Sequence, residues 1–331
     1  MSHELEILDG RALVLGRESM WHQLGQVTGT NFGEQRIMEY APEILSPVRL
    51  APTYYIKNGD EWGAEYVMTP EKGVTIRECD QKIVGEGLGL KTYGVVQPLD
   101  AFGWGQTISE FGDLPLVSAG LIREGRQFFF TYEMGKESPS GIDYMPYLTV
   151  CSSHDGSLSL QAIASTIITV CANTLQMNLS GGSNVLTLKH TSNVDQRMQM
   201  AVAALQAVAS TVEATNKSIS LMTSIKLRSF DALLDGLLPS VDTQHGESTR
   251  GETTRETARD AVRSLLRSGV IEDDHRNTGW AWVQAVNTYE QWSKPIRSSS
   301  PATRALRQFD GLVKAAQPLT SKAIGQVLAL V

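Results

Sequence analysis

Cysteine is scarce in this sequence, and its scarcity excludes a fold that is held together by disulfide bonds. The three cysteines, Cys79, Cys151 and Cys171, are scattered over 331 residues without the close spacing of a disulfide framework. Thiols in this number and pattern are typical of proteins that work in a reducing compartment. We therefore expect a cytoplasmic protein.

Long hydrophobic runs are also lacking. No apolar stretch reaches the roughly 20 residues that a transmembrane helix requires. No apolar run follows a basic segment at the start of the sequence, as it would in a signal peptide. These absences predict that the chain has no membrane partner and no secretion signal.

The chain also lacks an excess of positive charge and a glycine motif for binding phosphate, and both absences narrow the classes of function to consider. The formal net charge of −7 argues against a surface that coats nucleic acid as a whole, although a local basic groove depends on its own potential. The glycines around Gly89 and Gly94 match neither a dinucleotide fingerprint nor a phosphate loop. We expect no cofactor, and no small-molecule substrate is indicated.

A β-hairpin around Asp155-Gly156 is the best-marked local structure. Tyr147, Thr149 and Cys151 alternate with the aliphatic residues Leu148 and Val150. Two faces that alternate with a period of two residues are typical of a strand. Asp-Gly between two such runs predicts a hairpin, because a type I′ turn needs positive φ at both central residues. A helix that contains Cys171 and Leu175 is predicted to follow.

The pattern of the whole chain predicts an α+β fold, in which an antiparallel β-meander core packs on helices and a long helix extends at the C-terminal side. Strands follow one another without regularly alternating helices, and turns are predicted at Asn58–Asp60 and Pro70–Gly73. Four regions follow from this pattern. They are an N-terminal arm over 1–46, a β-rich core domain with helices over 47–192, a long helix over 193–239 and a C-terminal helical region over 253–331.

The long helix carries an apolar stripe with three- and four-residue steps, and it is either one helix or two with a kink. The stripe includes Val202, Leu205, Val208 and Val212. A helix of this length needs a surface to pack on, because isolated helices take most of their stability from packing. This favours a homo-oligomer.

One group of cysteine and histidine side chains invites two kinds of chemistry, zinc binding and nucleophilic catalysis, and its spacing favours neither. Cys151, His154, Cys171 and His190 fit no paired zinc-ligand motif, and no acid stands at a recognisable position to orient a cysteine–histidine pair. Buried structural cysteines are the preferred interpretation. We therefore expect no metal site, no catalytic residues and no enzymatic activity.

Basic residues form two sets with different expected roles. Arg255, Arg259, Arg263 and Arg267 recur every four residues, but acidic residues precede them at helical spacing, which favours local ion pairs over phosphate contacts. A less compensated set accompanies the β core, together with aromatic residues that suit a single-strand groove. The nucleic-acid-binding candidates are Arg123, Arg126, Phe128, Tyr132, Lys189, His190 and Arg197. The alternative for the aromatic members is an ordinary place in the core.

Several short motifs, in order along the chain, resemble the phage/plasmid-like protein family of unknown function. The motifs are Trp21–Gly25, Tyr93–Pro98, Ala119–Leu121 with Gly125, His154–Ser157, Val170–Leu175 and Lys189–Thr191. The resemblance implies a bacterial host cytoplasm. Family members often carry an arginine just before the Val-Cys motif, whereas Thr166–Thr169 stand here, so no phosphate role is assigned to that position. The element order is also similar to the core of Rad-type single-strand annealing recombinases, an analogy of architecture only.

Two functional hypotheses follow. The first is a phage-type single-stranded DNA-binding and annealing protein that acts in recombination or replication as an oligomeric ring or filament, with RNA as an open alternative ligand. A basic groove would hold the backbone and leave the base edges free to pair. The second is a structural or host-interaction protein of a phage or plasmid that self-assembles through the long helix without binding nucleic acid.

Overall fold

A computed structural model of the chain describes residues 4–19, 25–57, 65–112, 114–166, 183–188, 194–238, 249–268, 271, 273–293 and 318–331. The chain forms two compact units. The first comprises Met1–Lys136 with Tyr144–Val212, and the second Glu137–Asp143 with Glu213–Val331. Both helices and antiparallel sheets are present, so the predicted α+β class is confirmed.

The first unit is built on strands. In chain order they are β1 Ile7–Leu8, β2 Arg11–Ala12, β3 Val14–Gly16, β4 Gln26–Val27, β5 Val48–Ile56, β6 Tyr66–Arg77, β7 Ile83–Gly89, β8 Leu116–Ile122, β9 Gln127–Glu133, β10 Tyr147–Ser153, β11 Leu160–Ser165 and β12 Ser183–Leu188. A seven-stranded sheet has the order β12-β11-β10-β9-β8-β3-β4, and β5-β6-β7 form a second sheet. The five consecutive strands β8 to β12 are the predicted antiparallel meander.

The N-terminal region contributes to this sheet instead of lying on it as an arm. Strand β3 pairs antiparallel with β8, and β4 adds a short parallel contact to β3. The reason is the apolar triplet Leu13-Val14-Leu15, whose side chains are all fully buried. The continuous apolar run Ala12–Leu15 has no alternation, so periodicity alone cannot distinguish a buried strand from a buried helical segment here.

Helices flank the large sheet in the first unit. They are α1 Glu34–Tyr40, followed by a 3₁₀ turn at Pro42–Leu45, and α2 Pro98–Gly112. Helix α2 packs on β9 and β10, and the rings of Phe102 and Phe130 meet edge to face with centroids 5.2 Å apart. This contact lies within the main hydrophobic core of the unit, which fixes the helix on the sheet.

The predicted hairpin at Asp155-Gly156 is confirmed, although its loop differs from the expected two-residue turn. Strands β10 and β11 pair antiparallel, and the last pair before the loop is Cys151 with Gln161. Of the two turn residues, Gly156 has positive φ (75°), whereas Asp155 is not among the residues with positive φ. The Asp155 carboxylate instead accepts a hydrogen bond from the Ser157 backbone N–H at 2.9 Å, which closes an Asx turn. The predicted helix around Cys171 lies outside the described residues.

The turn predicted at Pro70–Gly73 is wrong, because β6 runs through it. Pro52 pairs with Gly73, but Tyr54 already pairs with Met68, so β6 accommodates its extra residues in a bulge. Within the bulge Glu71 adopts a positive φ of 60°. Proline and glycine in this stretch signal a bulge as readily as a turn, and only the pairing distinguishes the two.

The second unit is helical. After α3 Val194–Ser224, whose first part belongs to the first unit, come α4 Asp231–Leu237, α5 Thr249–Arg267, α6 Gly279–Thr288, a π-helical turn Tyr289–Ser293, and α7 Pro318–Leu328. The predicted long helix is therefore two helices, since the chain leaves the helical path between Ser224 and Asp231. Trp282 is fully buried at the centre of this unit. Among the described residues, no helix has the length and apolar character to cross a membrane.

Candidate nucleic-acid interface

Arg123 and Arg126 lie together on the tight turn that joins β8 to β9. The last strand pair is Ile122 with Gln127, so four residues make the connection. The backbone N–H of Arg126 donates to the carbonyl of Arg123 at 3.1 Å. The structure thus brings these two predicted site residues to one end of the seven-stranded sheet.

The backbone of this turn is left-handed at three successive residues. Arg123, Glu124 and Gly125 have φ values of 52°, 59° and 78°. Glycine adopts such values freely, whereas side-chain-bearing residues rarely do and carry a cost of about 1 kcal/mol or more. Gly125 is required for a second reason, since a Cβ there would lie 2.7 Å from Nη1 of Arg77. Strained backbone of this kind is frequent at functional sites.

Both arginine side chains are accessible and hold weak ion pairs. The side chain of Arg123 is 41% exposed and contacts Glu4 at 3.1 Å, and that of Arg126 is 51% exposed and contacts Glu124 at 3.6 Å. Exposed pairs of this kind contribute little, typically up to about 1 kcal/mol. Two cations face two carboxylates at this turn, and both guanidinium groups remain accessible to solvent.

The neighbouring β10–β11 loop holds the arginine turn in place. The His154 backbone N–H donates to the Arg126 carbonyl at 2.8 Å, and its own carbonyl accepts from Thr75 Oγ1 at 2.9 Å. The buried His154 ring stands 5.1 Å from the Phe128 ring. Strand β7 passes so close to the backbone of His154 that only glycine fits at position 85, because a Cβ on Gly85 would lie 2.5 Å from the His154 carbonyl. The arginines therefore sit on a rigid support.

A charge network that the sequence pattern missed lies behind the turn. Arg77, only 1% exposed, donates to Glu6 at 3.2 Å and to Asp80 at 2.5 Å, and Lys82 contacts Glu6 at 2.8 Å. Two cations thus face two carboxylates. The Arg-x-x-Asp spacing at the end of β6 hints at the local pair, but the contact with Glu6 spans 71 positions and has no local signal. Because this network is balanced, it adds no net positive potential to the interface.

The Asp80 carboxylate makes part of this network sensitive to acid. Its hydrogen bonds from the Arg77 guanidinium lower the pKa of Asp80 below its ordinary value. A carboxylate with a lowered folded-state pKa stabilises the fold above its unfolded pKa of about 3.9, and this contribution is lost as the pH falls through the folded value. We expect the urea midpoint of the wild type to fall more steeply below about pH 4 than that of Asp80→Asn. Equal acid dependence in both proteins would contradict this role.

Phe128 and Tyr132 do not belong to the interface, which corrects the stacking role predicted for them. Their residues are 0% and 1% exposed, and both lie in the core of the first unit. The Tyr132 hydroxyl donates at 3.5 Å to the Phe102 carbonyl, and a Cβ on Gly105 of α2 would overlap it. A base cannot reach either ring while this packing persists.

The remaining predicted residues are not placed by the structure. Lys189 and His190 lie outside the described residues. Arg197 is in α3, but its side chain is likewise outside the description. Their assignment stays a prediction, and the described part of the candidate interface consists of Arg123 and Arg126.

The arginines of α5 behave as the sequence pattern indicated. Arg263 contacts Glu256 at 3.0 Å and Asp260 at 2.9 Å. Arg259 is largely buried, contacts Asp235 at 2.6 Å and donates to the Leu238 carbonyl at 2.9 Å. The predicted local pairs are confirmed for Arg263 with Asp260 and for Arg259 with Glu256, at 3.5 Å. The burial of Arg259 and its contacts with Asp235 and Leu238 were not predicted, and they hold α5 against α4.

The cysteine and histidine candidates are only partly described. Cys151 is fully buried, and burial raises the pKa of its thiol to about 12, so it carries little thiolate at neutral pH. Among the described residues, no group of three or more His, Cys, Asp or Glu side chains is arranged to hold a metal ion. Cys171 and His190 lie outside that part of the chain, so the absence of a metal site stays a prediction.

Comparison with known proteins yields one family. The sequence model of a domain of unknown function (DUF932) matches residues 88–312, which is more than half of the chain. The arginine turn at 123–126 lies within the matched region. No curated protein and no solved structure matches the chain.

Proposed function

The chain belongs to the DUF932 family of domains of unknown function, and from that premise we propose that it is a non-enzymatic protein that binds and anneals single-stranded DNA. In this proposal it acts as an oligomeric ring or filament in the recombination or replication of a phage or plasmid, in the cytoplasm of the bacterial host. The resemblance to phage and plasmid proteins and the architectural analogy with Rad-type annealing recombinases support this context.

The observation that carries the proposal is the arginine turn. Two accessible guanidinium groups project from one four-residue connection, and its backbone is strained at Arg123 and Glu124. Guanidinium groups bind phosphates well because they offer several N–H donors in a planar fork. The bond from the His154 N–H to the Arg126 carbonyl anchors the backbone of the turn on the neighbouring loop. This arrangement suits contact with successive phosphates of a single strand.

Annealing requires that the protein leave the base edges free. Backbone contacts of this type carry no sequence information, so a bound strand remains able to pair with an incoming one. The buried Phe128 and Tyr132 offer no stacking surface that would compete with pairing. Binding of the strand then rests on electrostatic contacts with its phosphates, and Lys189, His190 and Arg197 would add to those of the arginine turn.

A salt titration tests the proposal. Fluorescence anisotropy with a labelled single strand at about 50 and about 200 mM salt gives the slope of log affinity against log salt, near −0.7 per phosphate contact. We expect the double variant Arg123→Ala/Arg126→Ala to weaken binding at low salt and to make the slope less negative by about 1.4, irrespective of strand sequence. DNA and RNA strands of the same sequence identify the ligand.

Two matched controls make the result specific. Arg123→Lys/Arg126→Lys keeps both charges and should keep the slope. Arg276→Ala removes an arginine of similar exposure, 44%, that also holds one surface ion pair, with Asp273, and it should change nothing. If the wild type shows no binding to single strands at low salt, the proposal is wrong. The structural or host-interaction hypothesis, with assembly through the long helix, then takes its place.

A further inference from the structure

The outer part of the β5–β6 hairpin is a two-stranded ribbon that stands apart from the core. We define the distal ribbon as residues 53–57 and 65–69. Its pairs are Tyr54 with Met68, Tyr55 with Val67 and Ile56 with Tyr66. Lys57 closes the described part with a backbone hydrogen bond to the Glu65 carbonyl at 2.9 Å.

The bulge in β6 separates the distal ribbon from the three-stranded sheet. Strand β7 pairs with β6 only from Lys72 to Ile76 and does not reach the ribbon. At the bulge, the Leu90 backbone N–H donates to the Glu71 carbonyl at 3.0 Å. Beyond it, β5 and β6 have only each other as described strand partners. A two-stranded ribbon is marginally stable in water by itself.

One face of the distal ribbon is apolar and exposed. Residues that pair directly, and residues two apart on a strand, share a face, so Tyr54, Ile56, Tyr66 and Met68 lie together. Their exposed fractions are 58%, 58%, 68% and 48%. The described ion pair of the ribbon, Lys57 with Glu65, belongs to the opposite face with Tyr55. We call the four residues the ribbon face.

The character of the ribbon face favours a protein partner over nucleic acid. Its four described side chains carry no charge, whereas single-strand sites combine aromatic rings with cations. The nearest described lysine on the ribbon, Lys57, is neutralised by Glu65 at 3.6 Å. Tyrosine and methionine are enriched at protein interfaces. The surface therefore complements another neutral, apolar surface.

The part of β5 that precedes the distal ribbon, residues 48–52, is protected from strand addition at its edge. The Gln97 side chain occupies the edge at Val48, because its amide donates to the Val48 carbonyl at 2.8 Å and its oxygen accepts from the Val48 N–H at 3.0 Å. Pro52, four residues on, points the same way and has no N–H to donate. A proline on an edge strand protects it from pairing with another chain.

We infer that the ribbon face docks on the ribbon face of a second copy of this chain. A two-fold contact places the same patch on both sides, and a patch without charge is complementary to itself despite the net charge of −7. Stable interfaces bury about 800 Å² on each partner, and four half-exposed side chains supply roughly half of that. The single contact is therefore weak. Because a two-fold contact through one patch per chain closes at a dimer, we expect an equilibrium between monomer and dimer. This dimer contact goes beyond the proposed function, because a ring or filament needs a further contact between copies, and it does not depend on nucleic-acid binding.

Sedimentation velocity of the full chain over a concentration series, without nucleic acid, tests the inference. We expect the wild type to self-associate as concentration rises, and Tyr54→Ser/Tyr66→Ser to raise the dissociation constant at least about tenfold, because buried tyrosines are frequent interface hot spots. Tyr55→Ser is the matched control, since Tyr55 is on the same strand with similar exposure, 50%, but on the opposite face. It should associate like the wild type.

A charge exchange identifies the second copy as the occupant. Ile56→Lys/Met68→Lys and Ile56→Glu/Met68→Glu change exposed side chains and should each be monomeric, whereas their equimolar mixture should associate again. A wild type that stays monomeric at all concentrations, or tyrosine variants that associate unchanged, overturns the inference. The wild type and the tyrosine variants could behave as expected while the mixture of Lys and Glu variants does not associate. That result would assign the contact to unlike surfaces and would also overturn the two-fold contact. If Tyr54→Ser/Tyr66→Ser instead weakens single-strand binding without changing association, the occupant is nucleic acid.

Discussion

Replacing Tyr132 with alanine is expected to lower the free energy of unfolding by about 3–5 kcal/mol, the usual cost of removing a buried aromatic side chain. Tyr132 is 1% exposed and belongs to the main core of the first unit. Its ring lies against Gly105 of α2 so closely that even a methyl group there would overlap it. The cavity left by alanine would loosen α2 from the sheet. Urea denaturation followed by tryptophan fluorescence measures the change.

Tyr132→Phe separates the core role from a role in binding. The hydroxyl makes only a long hydrogen bond, 3.5 Å, to the Phe102 carbonyl, so its removal should cost no more than about 1 kcal/mol. Single-strand affinity should then equal that of the wild type. A folded Tyr132→Ala protein of near wild-type stability would contradict the core assignment, and it would return Tyr132 to the list of stacking candidates.

Replacing Arg77 with alanine is expected to lower the free energy of unfolding by about 3–5 kcal/mol, because it removes a buried guanidinium that holds two carboxylates and leaves Asp80 without its cation. The side chains of Arg77 and Glu6 are 1% and 2% exposed. Without the guanidinium, Glu6 retains Lys82 at 2.8 Å, and Asp80 loses the partner that lowers its pKa. Chemical denaturation at neutral pH measures this loss.

Two further variants check the explanation for Arg77. Arg49→Ala removes an exposed arginine of the same three-stranded sheet, which contacts Gln81 at 3.3 Å, and it should change stability by less than about 0.5 kcal/mol. Adding Asp80→Asn to Arg77→Ala removes the carboxylate that has lost its cation and should recover part of the loss. A cost for Arg77→Ala as small as that for Arg49→Ala would show that the network is not a buried one.

The sequence by itself determined the features that depend on near neighbours in the chain. The hairpin at Asp155-Gly156 and the meander follow from alternating polarity and turn residues, whose effects are local. The same holds for the ion pairs of Arg263, because residues three apart on a helix are neighbours in space. The sequence named the two arginines of the candidate interface only as members of a basic set beside the β core, and the structure placed them on one turn.

Only the tertiary structure decided which side chains are buried and which distant charges meet. Phe128 and Tyr132 are core residues because α2 covers their face of the sheet, whereas Tyr54 and Tyr66 are exposed because the bulge in β6 carries the ribbon beyond β7. All four are aromatic residues in strands, so composition and periodicity cannot tell them apart. Burial is decided by what packs on a strand from elsewhere in the chain, and the pairing of Arg77 with Glu6 arises in the same way, from a contact that no local pattern encodes.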